Sequence, residues 1–72
     1  DAEIVEFYAK EGSTITRHKV KDVNLPEEAN IGGIVRAGEG ILVNGETQII
    51  TGDLVVVFCK SHVIRHLERF FK

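Results

Sequence analysis

The 72-residue chain has one cysteine, one proline, no block of like charge and no long hydrophobic run. Each scarcity excludes something. A lone cysteine, Cys59, cannot close an internal disulfide, and no signal peptide opens the chain, so a reducing cytoplasmic setting is expected. Nine basic and 11 acidic side chains give a formal net charge of -2 and are interspersed along the chain, which argues against a nucleic-acid-binding surface. The longest uninterrupted apolar run, Leu54 to Cys59, is six residues, where a membrane span needs about 20. The chain also lacks an initiator methionine. Beginning at Asp1 inside a strand-like pattern, it reads as a piece excised from something longer.

What is present is the composition of a folded protein, with 43% hydrophobic and 28% charged residues and the apolar ones dispersed in short runs. One domain over residues 1–72 is expected, and at this size only about 60% of the unfolded surface can be buried. A partner that extends the core would therefore help.

The segment "EIVEFYAK" alternates Val5, Phe7 and Ala9 on one face with Ile4, Glu6, Tyr8 and Lys10 on the other, the pattern of a strand stopped by Gly12-Ser13. Ile15 and Val20 flank a Thr16 N-cap as a hydrophobic staple would, predicting a helix of about two turns that ends before Pro26 and turns Val20 and Val23 to the core. "IGGIVR" and "ILVN" read as strands separated by an "AGEG" turn, and Asn44-Gly45 marks a second tight turn before a strand over "ETQII". Thr51-Gly52-Asp53 then turns the chain into "LVVVFC", apolar on both faces and so expected to be a central strand covered on both sides. After a Ser61 N-cap, Val63, Ile64, Leu67, Phe70 and Phe71 form one apolar stripe of a closing α-helix. The expected fold is α+β: a two-layer sandwich in which a small, mostly antiparallel or mixed β-sheet is covered by two helices, in the order β-α-β-β-β-β-α.

The glycines raise the question of a phosphate loop. Residues 30–40 hold four glycines and one arginine, but a dinucleotide fingerprint needs strand, glycine turn and then a helix whose N-terminal amides meet the anion. The order here is strand, turn, strand, and no Gly-Lys-Ser or Gly-Lys-Thr is present. Gly32 and Gly33 therefore read as close-packing positions within a strand, and Gly38 and Gly40 as the turn after it. Arg36, ending that strand, is available to meet an anion.

His62 and His66 stand four apart on the last helix, a spacing that can grip a metal, but no third ligand accompanies them and His18 lies elsewhere, so no metal site is expected. Cys59 closes a buried strand near His62, yet no orienting group or oxyanion-hole motif joins it, and a small buried hydrophobe is the better reading. Asp53 is read as a turn residue that bonds its own backbone. Without paired carboxylates or an activated nucleophile, no enzyme and no catalytic residue is expected.

From Glu11 onward the sequence resembles the TrkA-C domain, the C-terminal lobe of the regulator-of-potassium-conductance (RCK) module of TrkA-type potassium-uptake proteins. The carriers are Ile34-Val35-Arg36, Asn44-Gly45-Glu46-Thr47, Ile50 and Gly52-Asp53-Leu54, followed by the amphipathic "HVIRHLERFF". Gly32-Gly33 stand where bulkier residues are common, and Gly40 lengthens the turn. The resemblance implies a cytoplasmic regulatory domain that forms a homodimer. It further implies attachment to an N-terminal Rossmann lobe, which would carry NAD or ATP, and a place at the inner face of the cell membrane against a potassium-transporting subunit. Some members bind cyclic di-AMP or another small anionic ligand between two such lobes, and Asn30, Ile31 and Arg36 are the nearest positions in this chain. Two functions follow as expectations: a ligand-sensing, dimerising domain of a bacterial or archaeal potassium-uptake system, or a structural coupling domain of another transporter or antiporter with no ligand of its own.

Overall fold

The computed structural model describes residues 1–72. The apolar run becomes strand β4, Leu54–Lys60, and it lies between two neighbours. Strand β1, Ala2–Tyr8, pairs antiparallel with it from Ala2 opposite Lys60 to Tyr8 opposite Leu54. Strand β2, Ala29–Arg36, pairs antiparallel on the other side, from Ala29 opposite Cys59 to Val35 opposite Leu54, with a bulge between Ile31 and Gly33. A short β3, Glu39–Ile41, completes the sheet beyond β2, giving the order β1-β4-β2-β3. Every pairing is antiparallel, and the α+β class holds.

One face of this sheet carries the core. Val55 and Val57 of β4 and Ile34 of β2 are buried with Ile15, Ile49, Leu67 and Phe71, which reach them from the covering layer. Each such side chain contributes about 1.5 to 3 kcal/mol by leaving water, before its lost freedom is subtracted. The C-terminal segment supplies part of the cover, with Leu67 and Phe71 buried: a 3-10 turn over Ser61–Val63, helix α1 over Ile64–Glu68, and a second 3-10 turn over Arg69–Phe71. The Phe71 ring stacks on Phe7 of β1, with centroids 4.6 Å apart and planes inclined by 12°.

Five expectations are corrected. The segment after the first strand forms two 3-10 turns, Thr14–Thr16 and Val20–Asp22, rather than a two-turn helix, so a single α-helix covers the sheet. The hydroxyls of Ser13 and Thr16 each donate to a carbonyl three residues back, at 2.6 and 2.7 Å, and this local bonding competes with helix propagation. Val23 is nevertheless buried, and Val20 packs against the core. The "ETQII" segment is no strand: it starts inside the Asn44–Thr47 turn, ends at Ile50 in the turn entering β4, and keeps a single bridge, Lys19 to Gln48.

The "ILVN" strand is displaced toward the N-terminus, because the hairpin turn is only Ala37-Gly38, both with positive φ (51° and 80°), leaving Glu39 opposite Arg36 and Gly40 inside β3. That two-residue turn matches the twist of its strands, at the cost of a left-handed alanine. Finally, β4 is covered on one face only. Val55, Val57 and Cys59 are buried, whereas Leu54 and Val56 are partly open and Phe58 is 48% exposed. At the far end Ser61 caps no helix; its hydroxyl faces the Asp1 carbonyl at 3.2 Å and Glu3 Oε2 at 3.1 Å, tying β1 to the end of β4.

The two terminal phenylalanines are therefore unequal: Phe71 is 3% exposed, while Phe70 is only partly buried and leans on His66. Phe71→Ala is expected to cost about 3 to 5 kcal/mol in chemical denaturation and Phe70→Ala clearly less. Equal losses would show that the stripe packs as a unit.

Candidate functional site

The uncovered face of the sheet is apolar. The registers place Ile4, Glu6 and Tyr8 of β1 opposite Phe58, Val56 and Leu54 of β4, and β2 adds Asn30, Gly33 and Val35 on the far side of the same three. Ile4 and Tyr8 are each 67% exposed, and Glu6 is the one charged residue among the nine. Scattered exposed apolar residues need no account, but a contiguous patch on a sheet face marks a contact surface.

Within this face lies a depression of about 410 Å³, bounded by Gly32, Gly33, Gly40, Ile41, Leu42, Val56 and Phe58. Its shape depends on glycine. Gly32 is the extra residue of the β2 bulge, and a Cβ there would run into the Phe58 ring. Gly33 and Gly40 contribute no side chain to the floor, and Leu42, 89% exposed, stands at its edge. The doubled glycine is thus a seat for an aromatic ring and not a phosphate cradle: no helix follows it, and the chain goes directly into the Ala37-Gly38 hairpin.

The three residues singled out from the sequence do not share one cleft of the single chain. Asn30 is exposed on the open face opposite Phe58. Ile31 is paired with buried Val57 on the covered face. Arg36 ends β2 and is engaged by Asp53: Nε donates to Oδ1 at 2.9 Å and Nη2 to Oδ2 at 2.8 Å. The same Nη2 donates to the Gln48 carbonyl at 3.1 Å.

Asp53 is 1% exposed, and its Oδ2 also accepts the Ile50 amide at 2.9 Å, the local turn bond that the sequence suggests. The Arg36 hydrogen bonds hold the Asp53 carboxyl below its ordinary pKa against the opposing effect of burial, and Asp53 in turn raises that of Arg36. Arg36 is therefore not the free, solvated arginine that its strand-end position suggests. Gly52-Asp53 was the only local signal of this partner, because the two residues lie 17 apart and no periodicity links them.

Other polar groups are spent structurally. His62 Nε2 lies 2.7 Å from Glu28 Oε1, joining the end of β4 to the loop before β2. Glu46 accepts from Lys21 at 2.7 Å and Lys19 at 2.9 Å, and these bonds, Lys21's first, lower its pKa. Cys59 is buried, and desolvation, with a smaller contribution from Glu3, pushes its thiol pKa up. Such a thiol is a poor nucleophile. No group of three His, Cys, Asp or Glu side chains is placed to hold a metal ion, and no helix is long and apolar enough to cross a membrane.

Comparison with known proteins agrees with this architecture. The family model described as the TrkA-C domain matches residues 4–72. Trk system potassium uptake protein TrkA homolog 1 of Methanosarcina mazei is 35% identical over 71 residues, 99% of this chain and 16% of that protein. The TrkA homolog of Archaeoglobus fulgidus is 40% identical over 53 residues, 74% of this chain and 12% of the relative. The chain thus spans less than a fifth of the length of these curated relatives. A solved structure described as an RCK domain with cda superposes with a TM-score of 0.82 over 96% of this chain and 97% of that one, at 17% identity, which establishes the shared fold.

Two outcomes test the site. Because the folded-state pKa of Asp53 is depressed, its pairing stabilises fully above the ordinary carboxylate value, near pH 4, and the contribution is lost as pH falls through the folded value. Asp53→Asn should lower the melting temperature at pH 7 and approach wild type as the pH falls through the depressed folded-state value; parallel curves from pH 7 into that acid range would exclude the clamp as the source. For the glycine seat, Gly32→Ala should destabilise in the wild-type background and do so much less in Phe58→Ala, giving a coupling of about 0.5 to 3 kcal/mol in a double-mutant cycle. Additive losses would separate the two residues.

Proposed function

The chain belongs to the TrkA-C domain family, and from that membership we propose that it is the regulatory, dimerising and ligand-sensing C-terminal lobe of a potassium-uptake protein. The relatives it matches are Trk system potassium uptake proteins many times its length, which supports an N-terminal lobe in the same longer chain and a potassium-transporting membrane subunit as partner. NAD or ATP would belong to that N-terminal lobe, and the whole would work at the cytoplasmic face of the membrane.

The observation that carries the dimer is the open sheet face. Its side chains from β1, β4 and β2 are mostly apolar, only one is charged, and nothing in the chain covers them. A second copy laid on the same face would bury Phe58, Ile4 and Tyr8 and place two glycine-floored depressions near a two-fold axis. In this arrangement a small anionic ligand such as cyclic di-AMP would meet Asn30 directly. Ile31 would support it from the strand, and Arg36 would contribute the Nη1 group that Asp53 leaves unengaged.

The second reading, a coupling domain without a ligand of its own, is favoured by the same clamp, since an arginine held by a buried aspartate is already satisfied.

Sedimentation at micromolar concentration should show a dimer, and Phe58→Asp, which places a charge on the face, should return it to monomer. A wild-type monomer would overturn the dimer. In calorimetric titration with cyclic di-AMP, Asn30→Ala and Arg36→Lys should each weaken binding about tenfold or more, the scale of a lost hydrogen bond to a charged group. Absence of heat with wild-type dimer, or equal affinity in both variants, would favour the coupling domain.

A further inference from the structure

On the covering layer, the Thr14–Thr16 turn packs near the end of the C-terminal segment, and between them lies a notch of about 150 Å³ lined by Thr14, His66, Arg69 and Phe70. It shares no residue with the depression on the open face or with the Arg36 clamp. Its polar groups are unspent. The hydroxyls of Ser13 and Thr16 donate to nearby carbonyls, but that of Thr14, between them in the same turn, makes no hydrogen bond in the chain. Neither His66 nor Arg69 takes part in any of the four ion pairs. No carboxylate lines the notch, because Glu68, the residue before Arg69, lines a different groove with Lys10 and Lys72.

The walls are held in place by buried neighbours. Ile15, fully buried, fixes the turn that presents Thr14, and Leu67 and Phe71 fix the backbone on either side of Arg69. The His66 ring leans on Phe70, with centroids 5.5 Å apart and an interplanar angle of 40°, which orients the imidazole.

We propose that this notch binds a phosphate group. The Arg69 guanidinium can grip two oxygens in its plane, while the Thr14 hydroxyl and the His66 ring N–H offer donors from other directions. A planar carboxylate would use the guanidinium and leave the others idle, whereas a tetrahedral phosphate has oxygens for all three.

The experiment is an NMR titration of the amide signals with inorganic phosphate, and in parallel with methyl phosphate and with acetate at matched ionic strength. Saturable shifts at Thr14, His66 and Arg69 with phosphate, absent with acetate, are expected. Retention with methyl phosphate assigns the terminal group of a phosphomonoester, and its loss assigns the free anion. Arg69→Gln should weaken the response at least tenfold, Thr14→Val several-fold, and Lys60→Gln, away from the notch, should leave it unchanged. Equal shifts with acetate, no saturation, or an unaltered titration in both folded notch variants would overturn the proposal.

Discussion

Strand β4 belongs to two ladders at once, and this shared membership is the constraint on which the rest of the structure depends. Its residues pair with the beginning of the chain on one side and with the middle on the other, so β1 and β2 come together only through it. The alternation along β4 then assigns the two faces. Val55, Val57 and Cys59 point to the layer that the turns and α1 supply, and Leu54, Val56 and Phe58 to the open side. A slip of one residue would exchange these sets and expose the core. The connections at its entrance reinforce the register: Ala9 and the Gly52–Asp53 turn exchange backbone hydrogen bonds of 2.9 and 2.8 Å.

Charge does a second kind of positioning. The Arg36–Asp53 pair joins the hairpin end of β2 to the turn that starts β4, and its buried carboxylate has a hydrogen-bond donor for each oxygen. Gln48 serves the same region with its amide, which lies 2.9 Å from the Thr16 carbonyl, 3.3 Å from that of His18 and 3.1 Å from its own neighbour Ile49. Segments without regular structure are thus pinned by side chains, where strands are pinned by their own backbone. The Lys19–Glu46–Lys21 group does this at the surface, where salt screens it.

This division explains what could be read from the sequence. β1, β2, β4 and the closing helical segment were legible because periodicity and apolar runs report burial directly, as at Val55, Val57 and Leu67. The middle of the chain was not. Its folding rests on Ser13 and Thr16 bonding backward and on Gln48 bridging to carbonyls about 30 residues away, and none of these has a period. Around the candidate site, Gly32 and Gly33 were legible as close-packing positions and Arg36 as the end of β2. The partner of that arginine and the ring that Gly32 accommodates lie on the other side of the fold's long-range pairings. The two-faced apolarity of β4 correctly marked a central strand, but a run of side chains cannot say whether its second cover is built by the same chain.

Cys59 gives the molecule a built-in clock. Its sulfur sits at the end of β4 behind the covering layer, 5% exposed and held in the protonated form. A thiol reagent can reach it when β1 parts from β4 or the C-terminal segment lifts, so the pace of modification counts those opening events. With no second cysteine to compete or to form a disulfide, a single chemical label follows the breathing of the strand that holds the sheet together.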